Sequence, residues 1–341
     1  MRIAIVSDAW LPQRNGVVRV LVSLIAQLRS LGNTVHVVSP DQFRTVPMPS
    51  YPEIPLALLP GRGVAHQLTE FAPQAVHIAT EGPLGWAARA WCLRHRLPFT
   101  TAYHTQFPHY LRARTGLPLA LSFALVRRFH RPSSGVLVPS PSVYQELTAR
   151  GFGHLRQWSH GVDTQVFRPR PKDLFPEPRP IFMYVGRVTV DKNLPAFLDL
   201  DLPGSKIVVG DGPARAALMR RYPQIRFHIA NNDDELSRCY SAADAFVFPS
   251  LTDTFGLVML EALACGVPVA GFPVTGPRDV LAGSTAGVLS NDLRDAALQA
   301  LAIAPAECLR HANGFSWLMV AEQFRSYLHP IPANHLPRSR P

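Results

Sequence analysis

Lysine is nearly missing from this chain of 341 residues: Lys172, Lys192 and Lys206 stand against 31 arginines, so a lysine in a functional-looking loop is not filler. The four cysteines, Cys92, Cys239, Cys265 and Cys308, lie far apart and form no C-x-x-C pair. Neither a zinc site nor a disulfide framework is indicated, and a reducing compartment is the default. No run of about 18 uninterrupted apolar residues occurs, and the apolar stretch after Met1 is too short for a signal-peptide core. The expectation is a cytoplasmic protein that does not span a membrane. The glycine fingerprint G-x-G-x-x-G is also missing: the loop over 7–17 has Gly16 alone, and Gly210-Asp-Gly212-Pro does not fit. That weighs against a dinucleotide-dependent dehydrogenase.

What is present is an apolar share of 47% with 17% charged residues, which excludes disorder, while 22 glycines exclude a collagen-like chain. At about 150 residues per domain the length predicts two domains. The 33 prolines are spread between apolar runs and act as punctuation. The net charge of +10 is unevenly placed: residues 1–170 hold 18 arginines against seven acids, whereas residues 171–341 are nearly balanced. An anionic partner for the first half follows, such as a membrane surface, a nucleic acid or an acidic substrate.

Short apolar strands alternate with segments of helical period, the pattern of parallel sheets covered by helices. Strands are predicted over 3–6, 35–38, 76–79, 99–103 and 136–139, then over 181–185, 206–209, 226–229, 245–249 and 267–270. Between the two series, residues 168–180 carry prolines too closely spaced for a helix or a central strand. The fold class is therefore α/β, with two doubly wound domains facing a cleft: a first domain over 1–167, a linker over 168–180, a second domain over 181–329 and a tail over 330–341 read as disordered. Open α/β sheets bind ligands beyond the carboxyl ends of their strands, so the site is sought in loops that follow strands.

Four such loops carry chemistry. Gly186 and Arg187, with Lys192 and Asn193, follow a strand; a fork-shaped and a point-like cation there suit a phosphate or diphosphate, or are two solvated charges. Ser250-Leu-Thr-Asp253-Thr254-Phe255-Gly256-Leu257 turns into a helix that contains Glu261. Its first-turn amides suit an anion or hydroxyl-rich ligand, and two carboxylates could grip sugar hydroxyls. Otherwise Asp253 is an N-cap and Glu261 a helix-face charge. Glu261 sits in an almost wholly apolar segment, where an unpartnered charge would be costly. His104 ends a first-domain strand, as a cleft-facing or a structural histidine. Asp199-Leu-Asp201 has the D-x-D spacing of some metal-dependent sugar transferases but reads as a surface turn. No metal and no cofactor are expected.

These segments, in this order, resemble the retaining nucleotide-sugar glycosyltransferases of family 4, which have the GT-B fold of two Rossmann-like domains. The similarity rests on Asn15-Gly16-Val17, His104-Thr105, His160-Gly-Val-Asp163, Val185-Gly186-Arg187-Val188 with Lys192-Asn193, Val209-Gly-Asp-Gly-Pro213, and Thr252-Asp-Thr-Phe-Gly-Leu257 with Glu261-Ala-Leu-Ala-Cys-Gly-Val-Pro268. Within the family the chain looks most like bacterial GDP-mannose-dependent mannosyltransferases, beside a group that uses UDP-sugars for glycolipids. The resemblance implies that Arg187 and Lys192 hold the donor diphosphate and stabilise the leaving nucleotide in place of a metal. It implies that the Gly16 loop approaches the same diphosphate, that Glu261 binds ribose, that Asp253 with the amides of Thr254 to Leu257 grips the sugar, and that His104 lies near the reacting carbon. Two departures stand out: Asp253 replaces the first of the family's paired glutamates, and residues 227–236 lack the glycine that usually precedes the base-contacting loop.

The basic surplus has a focus. Arg112, Arg114, Arg127, Arg128 and Arg131 bracket an apolar run, either as a helix lying on anionic lipid or as a core helix with solvated ends. On the first reading the acceptor is a lipid or lipid-linked sugar and the protein is peripheral at the cytoplasmic face of the inner membrane. A nucleic-acid partner would rest on charge alone, with no helix-turn-helix, zinc finger or RNP-type motif, and none is expected. A noncatalytic sugar-nucleotide-binding subunit is the remaining alternative, against which Arg187, Lys192 and Glu261 argue.

Overall fold

The computed structural model describes residues 1–13, 15–48, 51–109, 112, 116, 118–332 and 335. The chain forms two compact units, one of Met1–Ser159 with Leu318–Pro341 and one of His160–Trp317.

The first unit is built on a parallel sheet of β1 (Arg2–Val6), β2 (Thr34–Val38), β5 (Ala75–Ile78), β6 (Thr100–Ala102), β7 (Gly135–Val138) and β8 (Leu155–Gln157), in the order β2-β1-β5-β6-β7-β8. A separate antiparallel pair, β3 (Thr45–Met48) with β4 (Tyr51–Ala57), interrupts the alternation. Its prolines hide it from a reading by pattern. β5 and β7 are buried at every position, as strands covered on both faces must be, and so read as continuous apolar runs. Helix Gly16–Ser30 shows how sequence sets such an element. Asn15 caps it by accepting the Val18 N–H, and Val20, Leu21, Leu24, Ile25 and Leu28 line its buried face. Gly32, at φ 76°, ends it in a turn in which the Asn33 N–H returns to the Leu28 carbonyl.

The second unit carries β9 (Ile181–Val185), β10 (Ser205–Val209), β11 (Arg226–His228), β12 (Ala245–Phe248), β13 (Val269–Gly271) and β14 (Gly287–Leu289), all parallel, in the order β11-β10-β9-β12-β13-β14. This is the doubly wound Rossmann order.

The expected boundaries need correction. The division falls between Ser159 and His160 rather than after residue 167, and the stretch read as a linker over 168–180 belongs to the second unit. Its prolines keep it out of the sheet, but its side chains find partners on the second unit. Arg170 pairs with Asp234 at 2.7 Å, Lys172 and Arg179 both reach Asp244, and Phe175 is buried. The terminal segment is also reassigned, because helix Trp317–Tyr327 passes from the second unit into the first after Trp317. There Phe324 is fully buried against His77 and Trp158, and the Val320 carbonyl accepts the Trp158 indole N–H. The start of the segment read as a disordered tail is packed too: Ile331 is buried and its N–H donates to the Gln74 carbonyl at 2.7 Å. The rest of that expectation falls on 333–334 and 336–341, outside the described residues.

His77, on β5, is wholly buried under Phe324 with Nδ1 on the Thr100 hydroxyl at 2.9 Å. Burial holds its pKa down at about 3. An unfolded chain would take up a proton near the ordinary histidine pKa of about 6.5 while the folded chain does not, so His77 costs stability as the pH falls from 6.5 toward 3. Replacing it in His77→Leu is expected to flatten the acid-side loss of unfolding free energy by up to about 1.4 kcal/mol per pH unit in urea titrations between about pH 6 and pH 4. An unchanged slope would place the acid sensitivity elsewhere.

Candidate active site

In each sheet the first strand lies inside, so the winding reverses beside it and a crevice opens at the carboxyl ends of two neighbouring strands. In the second unit those strands are β9 and β12. The loops that follow them carry Gly186 to Asn193 and Ser250 to Gly256, the same residues singled out by chemistry.

Gly186, at φ 149°, opens the first loop, and the Arg187 carbonyl accepts the Tyr184 hydroxyl at 2.9 Å. Burial raises the Tyr184 phenol pKa, so it remains a donor there. The half-buried Arg187 side chain has no hydrogen-bond or ion-pair partner among the described residues. The loop then makes one 3-10 turn, Val190–Lys192, and turns back through Asn193 at φ 53°, whose side-chain amide donates to the Pro249 carbonyl at 3.1 Å. That bond ties the loop after β9 to the end of β12. It also sets Lys192 Nζ 2.6 Å from Asp253 Oδ2, with both side chains largely buried.

Asp253 is not a helix cap. Gly256, at φ 93°, occupies the cap position of helix Leu257–Ala264, and Asp253 Oδ1 accepts the neighbouring Thr254 N–H at 3.1 Å. Of the amides from Thr254 to Leu257, the first is therefore already engaged by Asp253. Phe255 is buried against the rings of His160 and Phe315 and anchors the turn. Glu261 is only 4% exposed, and its Oε2 accepts the Tyr240 hydroxyl at 2.8 Å. The Tyr240 hydroxyl thus gives this buried carboxyl a polar partner inside an apolar helix.

Some segments do more than the motif reading assigned to them. A Cβ on Gly210 would lie 2.0 Å from the Gly186 carbonyl oxygen, and one on Gly212 would lie 2.4 Å from that of Val188. The Gly-Asp-Gly-Pro segment thus lets the loop after β10 pack directly on the loop that carries Arg187. Its paired glycines at the end of a strand were the available signal. Gly276, at φ 94°, similarly lies against Asp253 and Phe255. In the stretch that departs from the family pattern, Glu235 is gripped by the N–H and side chain of Asn231 and by His228. The Asn231 N–H is the main reason its carboxyl titrates below the usual range.

In the first unit the matching crevice lies beyond β1 and β5. Gly16 begins a helix with open space around it, capped by Asn15. Asp8, which motif reading left unassigned, ties the two loops together: its carboxylate accepts the Leu84 and Gly85 N–H groups and the Thr80 hydroxyl. Burial raises its pKa. A lone acid directly after the first strand was the sequence signal. His104, just past β6, is 9% exposed and lies edge-on to Trp158 at 5.8 Å. The structure thus brings Arg187, Lys192 and Asp253 together on one unit, seats Glu261 one helix further in, and places Gly16 and His104 on the other.

Among the described residues no group of three or more His, Cys, Asp or Glu side chains is placed to hold a metal ion. Asp199 of the D-x-D pair accepts the Tyr222 hydroxyl at 2.6 Å.

Two family models match the chain: Glycosyltransferase Family 4 over residues 14–166 and Glycosyl transferases group 1 over residues 179–306. A GDP-mannose-dependent alpha-mannosyltransferase of Mycobacterium tuberculosis (strain CDC 1551 / Oshkosh) is 30% identical over 317 residues, covering 85% of this chain and 83% of that protein. The chain belongs to glycosyltransferase family 4. It is also 31% identical over 291 residues to a sulfoquinovosyl transferase of Arabidopsis thaliana, covering 76% of this chain and 57% of the relative. Its fold is GT-B: sucrose-phosphate synthase from Thermosynechococcus elongatus superposes with a TM-score of 0.75 at 21% identity, over 95% of this chain and 97% of that one. The enzyme is therefore a glycosyltransferase.

Because Gly210 sits at φ 141° with no room for a side chain, Gly210→Ala must separate the two loops that frame Arg187. A loss of more than about 1 kcal/mol of stability is expected in urea unfolding. A neutral result would show that the loops tolerate separation.

Proposed function

We propose that this family 4 enzyme transfers a hexose, mannose from GDP-mannose, to a lipid or glycan acceptor with retention and without a metal. The observation that carries this reading is the Lys192–Asp253 pair at the crevice of the second unit, beside Arg187, whose side chain has no partner among the described residues. Lys192, held by Asp253, and Arg187, with its fork unengaged, answer the charge of a nucleoside diphosphate, Arg187 by a bidentate grip on phosphate oxygens. Lys192 is held in place by a carboxylate that itself suits a sugar hydroxyl. Glu261, fixed by Tyr240, is the acceptor for ribose hydroxyls. His104 and the Gly16 loop are assigned, by family likeness, to the sugar and the diphosphate.

In the reaction the bond from the sugar's anomeric carbon to the diphosphate oxygen breaks as the acceptor oxygen bonds to that carbon on the same face. The acceptor's proton passes to the departing phosphate, and Arg187 and Lys192 stabilise the negative charge that develops there. Mannose is favoured by the mannosyltransferase relative, which matches over more of both chains. The sulfoquinovosyl relative, at 31% identity, carries a different sugar in its name, and the second reading is the UDP-sugar transfer to a glycolipid that the family resemblance also implies.

The lipid acceptor and the anionic membrane surface are supported by helix Leu119–His130. Phe123, Val126 and Phe129 are buried, while Leu121 and Leu125 are 60% and 50% exposed on the side that ends at Arg128. Arg112, Arg127 and Arg131 are also exposed, and Arg114 lies outside the described residues. No helix among the described residues is long and apolar enough to cross a membrane.

A metal-free thermal-shift panel of GDP, UDP, GDP-mannose and UDP-glucose tests the donor, because a ligand of the native state raises Tm. Stabilisation by the guanosine ligands is expected, and stabilisation by the uridine ligands alone would move the assignment to a UDP-sugar. Lys192→Ala should keep the native fold while lowering turnover by about two orders of magnitude or more. Near-normal turnover would remove Lys192 from the diphosphate site.

A further inference from the structure

The first unit holds a second concave site that the transferase reading does not use. Helix Leu119–His130 ends in a cavity of about 420 Å³ lined by Arg127, His130, Arg131, Gly151, Phe152, Gly153 and His154. Residues 131–134 and 151–154 precede β7 and β8, so the cavity opens at the amino ends of these strands. The loops expected to bind the donor and acceptor follow the carboxyl ends, at the opposite edge of the sheet.

The lining is all cationic or cationisable apart from two glycines and a phenylalanine, and no carboxylate is among the described lining residues. Its geometry is held from behind. His130 is buried with Nδ1 on the Thr101 hydroxyl at 2.8 Å and Nε2 on Glu81 at 3.1 Å, which fixes its ring. Arg127 uses one nitrogen on the Arg150 carbonyl at 2.9 Å, leaving the rest of its fork. Gly151 lies at φ 74°, and a Cβ there would come within 3.2 Å of that guanidinium. His154 holds φ 57°, a left-handed conformation that histidine adopts more readily than most residues other than glycine, and Arg131 is exposed with no partner among the described residues. Phe152 supplies an apolar wall.

We propose that this cavity binds a phosphoryl group, as a phosphate monoester or diester, through Arg131, His154 and the free edge of Arg127. The last carbonyls of helix Leu119–His130 are taken by other donors, those of Arg128 and Phe129 by the Arg89 side chain and that of His130 by the Ser133 N–H, so the side chains supply the attraction against the negative end of the helix dipole. An arginine pair with a histidine meets phosphate oxygens by charge-assisted hydrogen bonds. The source is either the headgroup of an anionic lipid, beside the exposed Leu121 and Leu125, or a soluble phosphorylated compound.

The test uses the full chain carrying Arg187→Ala and Lys192→Ala, which removes the donor-site cations as competitors for phosphate. Titration with inorganic phosphate should move the amide NMR signals of Gly151, Gly153 and His154 saturably. Arg131→Gln or His154→Asn, the latter chosen because asparagine tolerates φ near +57°, should weaken this by about tenfold or more while the remaining spectrum is unchanged. Arg94→Gln, at an exposed arginine off the lining, should leave it intact. Sedimentation with vesicles of phosphatidylglycerol and phosphatidylcholine separates the sources. Vesicle binding lost in Arg131→Gln assigns the site to a lipid headgroup, and unchanged vesicle binding with a lost phosphate response assigns it to a soluble ligand. No phosphate response at 151–154, or one equal in Arg131→Gln and His154→Asn, overturns the proposal.

Discussion

A parallel sheet cannot continue in both directions from its first strand without reversing the side on which its connections run. That reversal leaves two adjacent carboxyl ends with loops that diverge, and everything chemical in the second unit is placed by it. Gly186 and Arg187 leave β9 on one side of the split, and Ser250 to Gly256 leave β12 on the other. The chain then draws the two loops together again, through the Asn193 amide on the Pro249 carbonyl and through Lys192 on Asp253. Charge is thereby concentrated at a point that topology has already opened.

The cost of such an arrangement lies in held charges and in backbone with no side-chain cover. Lys192 and Asp253 are mostly withdrawn from water, so each compensates the other until a ligand redistributes the partnership. Gly210 and Gly212 let backbone pack on backbone where any larger residue would collide. Glu261 is the deeper case: its carboxyl sits in a helix of Val, Met, Leu and Ala and accepts the Tyr240 hydroxyl from a neighbouring helix. These are features of a site organised before its ligand arrives.

Much of this was legible from residue order. The apolar runs of β1, β5, β7, β9 and β12 are buried on both faces, and that burial is what makes them readable without alternation. Lys192 stood out because lysine is so scarce. Other elements were hidden for physical reasons. β3 and β4 carry prolines that argue against strand, yet an isolated two-stranded pair has edges that accept them. β8 and β14 give no buried apolar run to detect: β8 buries Leu155 alone, and β14 is half-buried along its three residues. The proline-rich stretch over 168–180 was read as a linker because its prolines exclude regular structure, while its contacts with Asp234 and Asp244 come from far along the chain. Asp8 and Tyr240 matter through partners dozens of positions away or on another helix, and no local pattern records that.

The return of the terminal helix changes what the first unit is. Trp158 and His77 are completed by Phe324, and Gln74 by Ile331, so a unit that begins at residue 1 is finished only by residues beyond 317. On a ribosome, where domains ordinarily fold in the order they emerge, this unit waits with an uncovered aromatic surface while the whole second unit is synthesised and folds. The order of completion is inverted: the half made first is the half finished last.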